Sequence, residues 1–457
     1  MPPEIYKYVD QRKDAGFMSK VVKFGGSSLA DANQFRKVAS IIKADEERCY
    51  VVPSAPGKRH KDDTKVTDML YKCYEEVCSG ADFAKSFAPI RERYNGIISD
   101  LGLSLSLEEE FVTIGKNFVA QAGRDYAASR GEYLNGIILA DFLGFTFVDA
   151  ARGIFFDSKG NFDDDVSNAC LGAILDRTPK AVIPGFYGAL PDGTIKTFSR
   201  GGSDFTGSVV AKAVRASLYE NWTDVSGFLV ADPRIVENPE GISVITYSEL
   251  RELSYMGAGV LHEDAIFPVR SANIPINIKN TNAPEDAGTL IVPAGDEPDS
   301  RFLITGIAGK KDFCSINIEK DRMNSEKGFI RKLLTVLENH EVFPEHMPTG
   351  IDTISIVVNK HELEGQREKL ELRLKEVVRP DHFEIIEDIA LVAVVGRGMK
   401  SAKGTATRVF AALSHADINI RMIDQGSSEL NIIVGIDACD FEKAIKVIYN
   451  MFILSEQ

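Results

Sequence analysis

Four short stretches of the chain carry residue types able to hold an anion or an ammonium. In VVKFGGSS, Lys23 stands two residues before Gly25, Gly26 and Ser27, between a β-branched run and a helical pattern. Glycines let backbone amides approach phosphate oxygens, the end of the following helix favours anions, and a lysine at the strand end adds a point positive charge. The spacing is not that of a P-loop, where the lysine follows the glycines, and a Gly-Gly pair after a strand also serves as an ordinary turn. In FSRGGSDFTG, Arg200 and Asp204 flank two glycines at a helix start. An arginine there suits bidentate capture of a carboxylate or phosphate, whereas Asp204 also fits as a plain N-cap. Glu132, in SRGEYLNG, reads equally as a partner for a ligand ammonium and as an acid complementing a helix dipole. NWTDVSGFLVADPR holds Thr223, Asp224 and Arg234; it could shape a nucleotide pocket or be a loop with a proline turn.

These residues need a scaffold, and the pattern around them supplies one. VVKF and CYVVP read as buried strands, LADANQFRKVASIIK as a helix, and residues 81–143 as mostly helical. The charged stretch GKRHKDDTK, residues 57–65, reads as a surface loop. Strands return at FTFVDA, KAVIPGFYG and TIKTFS, the last two joined by a Pro-Asp-Gly hairpin turn. A helix follows SRGG, and INIKN and GTLIVP close the series. Alternating strands and helices of this kind predict an α/β layered domain with a largely parallel sheet, over residues 19–298. EPDS, residues 297–300, reads as a linker.

The remainder repeats itself. The segment beginning at Met323 recurs at Met399, 76 positions later, and Gly328 and Gly404 share the offset. Each copy reads as a βαββαβ unit, the first over 301–388 and the second over 389–457. The strand within 301–309 is available to either copy.

Composition narrows the function. The chain has 457 residues, 44% hydrophobic, and a net charge of −14. That balance, with no Lys/Arg-rich block, argues against nucleic acid as a partner. No apolar run reaches the roughly 18–20 residues a membrane span requires. Residues 1–18 lack a signal core and read as an N-terminal extension or vector-derived segment, with Met18 as a candidate start. The six cysteines are scattered without zinc-site spacing, as expected of small core residues in a reducing cytoplasm.

KFGGSS, VVPSAPGK with KVTDML, SRGEYL, FSRGGSDFTG, WTDVSGFLVADPR, MGAGVLH and QGSSE stand in this order. Together with the paired repeats, they make the chain from about residue 19 resemble the aspartate kinases. The resemblance implies a three-layer amino-acid-kinase domain followed by two ferredoxin-like ACT domains. It implies transfer of a phosphoryl group from Mg-ATP to the β-carboxylate of L-aspartate, feedback-regulated by an end-product amino acid. By resemblance, Lys23 holds ATP phosphates and Gly25, Gly26 and Ser27 form the phosphate turn. Asp204 orients Lys23, and Ser54 and Thr67 supply positioning hydroxyls. Glu132 takes the substrate ammonium and Arg200 its α-carboxylate, while Thr223, Asp224 and Arg234 contact the nucleotide.

The family's effector pocket falls at Met323, Gly328, Phe329, Val342, Glu345 and Asp352; the two acids suit a cationic end group, which favours lysine over threonine. The resemblance also implies homo-oligomers through the ACT domains, Mg²⁺ held mainly by the nucleotide, and no membrane or nucleic-acid partner. Two departures bear on the adenine side: Leu229 stands where some members have an aromatic residue. Gly259 stands where some have a lysine, whose charge Lys58, Arg59 or Lys61 could replace. His262 reads as structural. Kinases of the same fold acting on glutamate, N-acetylglutamate, carbamate or UMP are the nearest alternatives, and a catalytically silent amino-acid sensor is a different one.

Overall fold

The computed structural model describes residues 19–199, 201–259, 263–295, 302–400 and 402–454. They pack as two bodies. The first takes the chain up to residue 228 together with 242–247 and 260–298; the second takes 229–241, 248–259 and the chain from 299 onward.

In the first body the β-branched runs become β1 (Lys20–Phe24), β2 (Arg48–Pro53), β3 (Thr146–Phe147) and β4 (Ala181–Val182). Then come the hairpin β5 (Tyr187–Ala189) and β6 (Ile195–Thr197), followed by β7 (Leu218–Thr223), β8 (Val244–Thr246), β9 (Ile276–Asn280) and β10 (Thr289–Val292). The main sheet runs β3-β4-β2-β1-β7-β9-β10-β8. It is parallel from β3 to β9; β10 turns antiparallel to β9 and pairs parallel with β8.

Strand alternation assigns the faces. Val22, Phe24, Val51 and Trp222 enter one large apolar cluster with five helices: Ala32–Lys43, Val66–Cys78, Phe83–Leu101, Glu108–Val119 and Arg124–Leu143. Their odd-numbered neighbours, Lys23, Tyr219 and Asn221, face the helix Gly202–Ala213 on the other side, whose Asp204 they contact. One polar cluster lies beneath the sheet: Arg48 grips the fully buried Glu220 through Nε (2.8 Å) and Nη2 (3.1 Å), and Trp222 Nε1 donates to the same carboxylate at 2.8 Å.

The second body is built on β11 (Gly306–Glu319), β12 (Pro344–His346), β13 (Thr353–Asn359), β14 (His382–Val395), β15 (Ile420–Asp424) and β16 (Asn431–Asp437). They form one antiparallel sheet in the order β12-β13-β11-β14-β16-β15. β11 and β14, 14 residues each, pair at both ends, with register shifts between Lys310 and Phe313 and between Phe313 and Ser315. The C-terminal half of β11 opens the first repeat and the N-terminal half of β14 closes it. The second repeat begins with the other half of β14, and its closing strand is Gly306–Lys310, paired to Leu391–Val395. The 76-residue echo has a backbone cause. Gly328 and Gly404 sit at φ 79° and 89° immediately before the helices Phe329–Asn339 and Thr405–His415, a left-handed conformation that costs other residues about 1 kcal/mol or more.

Candidate active site

The chain leaves β1 for β2 on one side, while β7 flanks β1 on the other. At such a reversal the carboxyl ends of the strands open a crevice that ligands occupy in α/β sheets. Lys23 lies one residue from the end of β1, in register with Asn221 of β7 and Val52 of β2. Its ammonium, on a side chain almost wholly buried, is 2.6 Å from Asp204 Oδ1 and 3.3 Å from Asn221 Oδ1. Asn221 Nδ2 in turn donates to Asp204 Oδ1 at 2.8 Å. Asp204 is therefore not spent on capping: the N-cap of its helix is Gly201, and the carboxylate is aimed at the sheet.

The phosphate-turn candidate is strapped to the loop after β2. Gly25 N–H donates to Trp222 O (3.0 Å), Ser54 N–H to Phe24 O (3.0 Å) and Gly57 N–H to Gly26 O (2.8 Å). The two loops approach so closely that a Cβ on Gly26 would sit 2.8 Å from Ala55 O, and one on Gly57 2.6 Å from Gly26 C. The helix end expected to follow the glycines is displaced. Gly26–Leu29 form a single 3₁₀ turn, and the α-helix starts only at Ala32, where Asp31 already accepts from the amides of Asn33 (2.9 Å) and Gln34 (3.0 Å). An anion here would meet the opening amides of the 3₁₀ turn. Ser28 Oγ, 2.8 Å from Thr281 Oγ1, pins that turn to the end of β9.

Glu132 is on the other side of the same loop. It is buried in the helix Arg124–Leu143, and burial pushes its carboxyl up to about 8, against a backbone bond to Ala55 that favours the charged form. Its Oε2 has no hydrogen-bond partner among the described residues. Thr67 opens the helix Val66–Cys78, and its Oγ1 lies 3.9 Å from where a Cβ would stand on Gly131. Asn135 Nδ2 holds Ser54 O at 2.7 Å. An uncompensated buried carboxyl oxygen is a fitting socket for an ammonium.

The first body thus brings together Lys23, Gly25, Gly26, Ser27, Ser54, Thr67, Glu132 and Asp204. Thr223 ends β7 and its Oγ1 is 3.2 Å from Oδ1 of the exposed Asp224. Arg234 belongs to the second body, where its exposed guanidinium clamps Asp232, with Nη2 2.6 Å from Oδ2; Leu229 and Gly259 belong to that body too. Arg200 and His262 lie outside the described residues, as do the linker 297–300 and residues 1–18. Arg59 is engaged with Asp63 at 2.8 Å, and Lys58 and Lys61 are exposed. Asn221 and Asn135 had no charge to mark them in the sequence, although Asn221 shares the parity of Lys23 across two paired strands.

In the first repeat, Met323, Phe329 and Val342 are core residues of the apolar cluster. Gly328 and Asp352 are exposed, and the Asp352 carbonyl accepts from Lys320 N–H at 2.8 Å. The Glu345 carboxylate accepts a hydrogen bond from Tyr255, within the second body.

Comparison with known proteins agrees with this architecture. The Amino acid kinase family profile matches residues 18–280 and an ACT domain profile residues 392–452. Aspartokinase 3 of Bacillus subtilis is 38% identical over 95% of this chain and 98% of its own length. The crystal structure of Clostridium acetobutylicum aspartate kinase is 55% identical, with a TM-score of 0.89 over 95% of this chain and 100% of that one. E. coli aspartokinase III, solved in complex with aspartate and ADP, shares the fold at 24% identity and a TM-score of 0.71, over 95% of this chain and 99% of its own. The chain belongs to the amino acid kinase family and, within it, to the aspartokinases.

Proposed function

We propose that the first body transfers the γ-phosphoryl group of Mg-ATP to the β-carboxylate of L-aspartate, giving 4-phospho-L-aspartate, the first step toward lysine, threonine and methionine. The observation that carries this reading is the Lys23–Asp204–Asn221 cluster at the strand ends, one loop away from the Glu132 oxygen that has no partner among the described residues. A carboxylate acceptor is already ionised at neutral pH, so no strong general base is required. Phosphoryl transfer then depends on alignment and on neutralising charge over the moving group.

Lys23 supplies that charge, held in place by Asp204 and Asn221. The turn amides of Gly26 and Ser27 face the phosphates, and Mg²⁺ arrives as part of the nucleotide substrate. Glu132 takes the aspartate ammonium and Arg200 its α-carboxylate, which leaves the side-chain carboxylate directed at phosphate. Ser54 and Thr67 contribute hydroxyls; Thr223 and Asp224 serve the nucleotide.

The ACT pair senses lysine, or threonine, and joins copies of the chain into a homo-oligomer in the cytoplasm. An effector restrains the enzyme only through unequal affinity for its active and inactive states. Coupled ADP release tests the whole reading. Aspartate should support turnover where glutamate, N-acetylglutamate, carbamate and UMP do not, and lysine and threonine are then titrated separately and together. Turnover with none of these acceptors would leave a sensor and end the kinase reading.

A further inference from the structure

Arg93 belongs to none of the motifs, yet it is the joint of the site. It is a buried arginine in the middle of the helix Phe83–Leu101, only 7% exposed. A cavity of about 590 Å³ opens between this helix and Val66–Cys78, with Arg93, Asp63, Lys72 and Lys85 in its lining. Arg93 Nη2 donates to the carbonyls of Gly57 (2.7 Å) and Ala30 (3.0 Å), and Nη1 donates to Asp63 Oδ2 (2.8 Å). Its Nε has no partner among the described residues. Asp63 closes the charged loop on itself, accepting from Arg59 N–H (2.9 Å), Nε (2.8 Å) and Nη2 (3.0 Å).

The three acceptors of Arg93 lie on two segments given substrate contacts above: Ala30 on the turn after β1, and Gly57 and Asp63 on the loop 54–65 that joins β2 to the helix Val66–Cys78. Ala30 follows the turn of Gly25–Ser27. Gly57 lies three residues after Ser54 in that loop and is bonded to Gly26. Asp63 leads into the helix of Thr67. One planar fork therefore sets the spacing between the phosphate turn and the acceptor loop. We infer that Arg93 is a positioning residue for phosphoryl transfer, keeping the turn of Gly25–Ser27 and the loop of Ser54 in one alignment; this rests on the proposed function. A lysine cannot replace it, because one ammonium on a flexible stem does not reproduce the rigid fork. An acceptor misplaced by about 1 Å can cost roughly 100-fold in rate.

The test uses the full chain carrying Arg93→Lys or Asp63→Asn. Each should lower kcat by about 10- to 100-fold, while KM for ATP and for aspartate stays within about threefold, since the binding groups themselves remain. Each should also speed tryptic cleavage after Lys58, Arg59, Lys61 and Lys65, which reports the clamp without any turnover. A kcat within about twofold of wild type in Asp63→Asn, or a loss accounted for by KM, overturns the inference. Should Arg93→Lys lose its circular-dichroism signature, Asp63→Asn decides. Absence of wild-type turnover with aspartate would overturn the proposed function instead, and the clamp would then stand or fall on the cleavage rates.

Discussion

Replacing Glu132 with glutamine removes a charge but almost no volume, and the structure sets what should follow. Burial raises this carboxyl to about 8 from an ordinary 4.5. At pH 7 only about one molecule in eleven of the free enzyme then carries the carboxylate, and an ammonium must bind that fraction or expel the proton. KM for aspartate should therefore fall by up to about tenfold per unit as pH rises from 6 toward 8 and level off above it, while KM for ATP stays flat.

The same burial affects stability, with the opposite preference. Between 4.5 and about 8 the unfolded chain has lost the proton and the folded chain retains it, so stability contributed by the protonated carboxyl declines across that window as pH rises. At about 1.36 kcal/mol per unit the loss is at most about 5 kcal/mol. Glu132→Gln cannot ionise; it should melt higher than wild type at pH 8, show a raised KM for aspartate, and lose the pH slope. Initial-rate kinetics from pH 6 to 9 and thermal melts at pH 5 and 8 measure both. A wild-type KM independent of pH, or a slope that survives in Glu132→Gln, would refute the assignment of Glu132 to the ammonium.

Lys23→Ala should cut kcat by about 10³-fold or more, because it removes the charge facing the transferred group, while far-UV circular dichroism stays native; an unchanged kcat refutes the role. Arg200→Ala should raise KM for aspartate more than KM for ATP, and the reverse order in steady-state kinetics would move Arg200 to the nucleotide. Glu220→Gln leaves the buried Arg48 without its counter-charge and should destabilise the first body by about 3–5 kcal/mol. Denaturant titration checks it, and a midpoint equal to wild type would show that the pair contributes nothing net.

Much of the site was legible because it sits where local signals are strong. Lys23 ends a β-branched run, the glycines mark a close approach between loops, and Asp204 opens a helix. What stayed hidden depends on pairing between distant segments. Asn221 reaches Asp204 only because β7 lies beside β1 in one particular register. Arg93 is one charged residue in a long helical stretch, and nothing local says that its fork ends on Ala30, Gly57 and Asp63. The helix Asp164–Leu175 carries little local signal: its segment is rich in Asp, Ser, Asn and Gly, and the helix buries only Ser167, Leu171 and Leu175. The 3₁₀ turn after Gly25 is likewise silent, since a Gly-Gly-Ser-Ser run does not announce whether a helix starts at once or waits for an aspartate cap.

The sharing of long strands between the two repeats makes the pair inseparable. A fragment cut after residue 388 would strip the second repeat of Gly306–Lys310 and leave the edge of Leu391–Val395 bare, inviting another chain to fill it. The missing strand is also made first: the ribosome releases it 81 to 89 residues ahead of its partner. It must stay unmated until almost the whole polypeptide has emerged. Excising either half would therefore yield a sticky, incomplete sheet rather than a portable sensor.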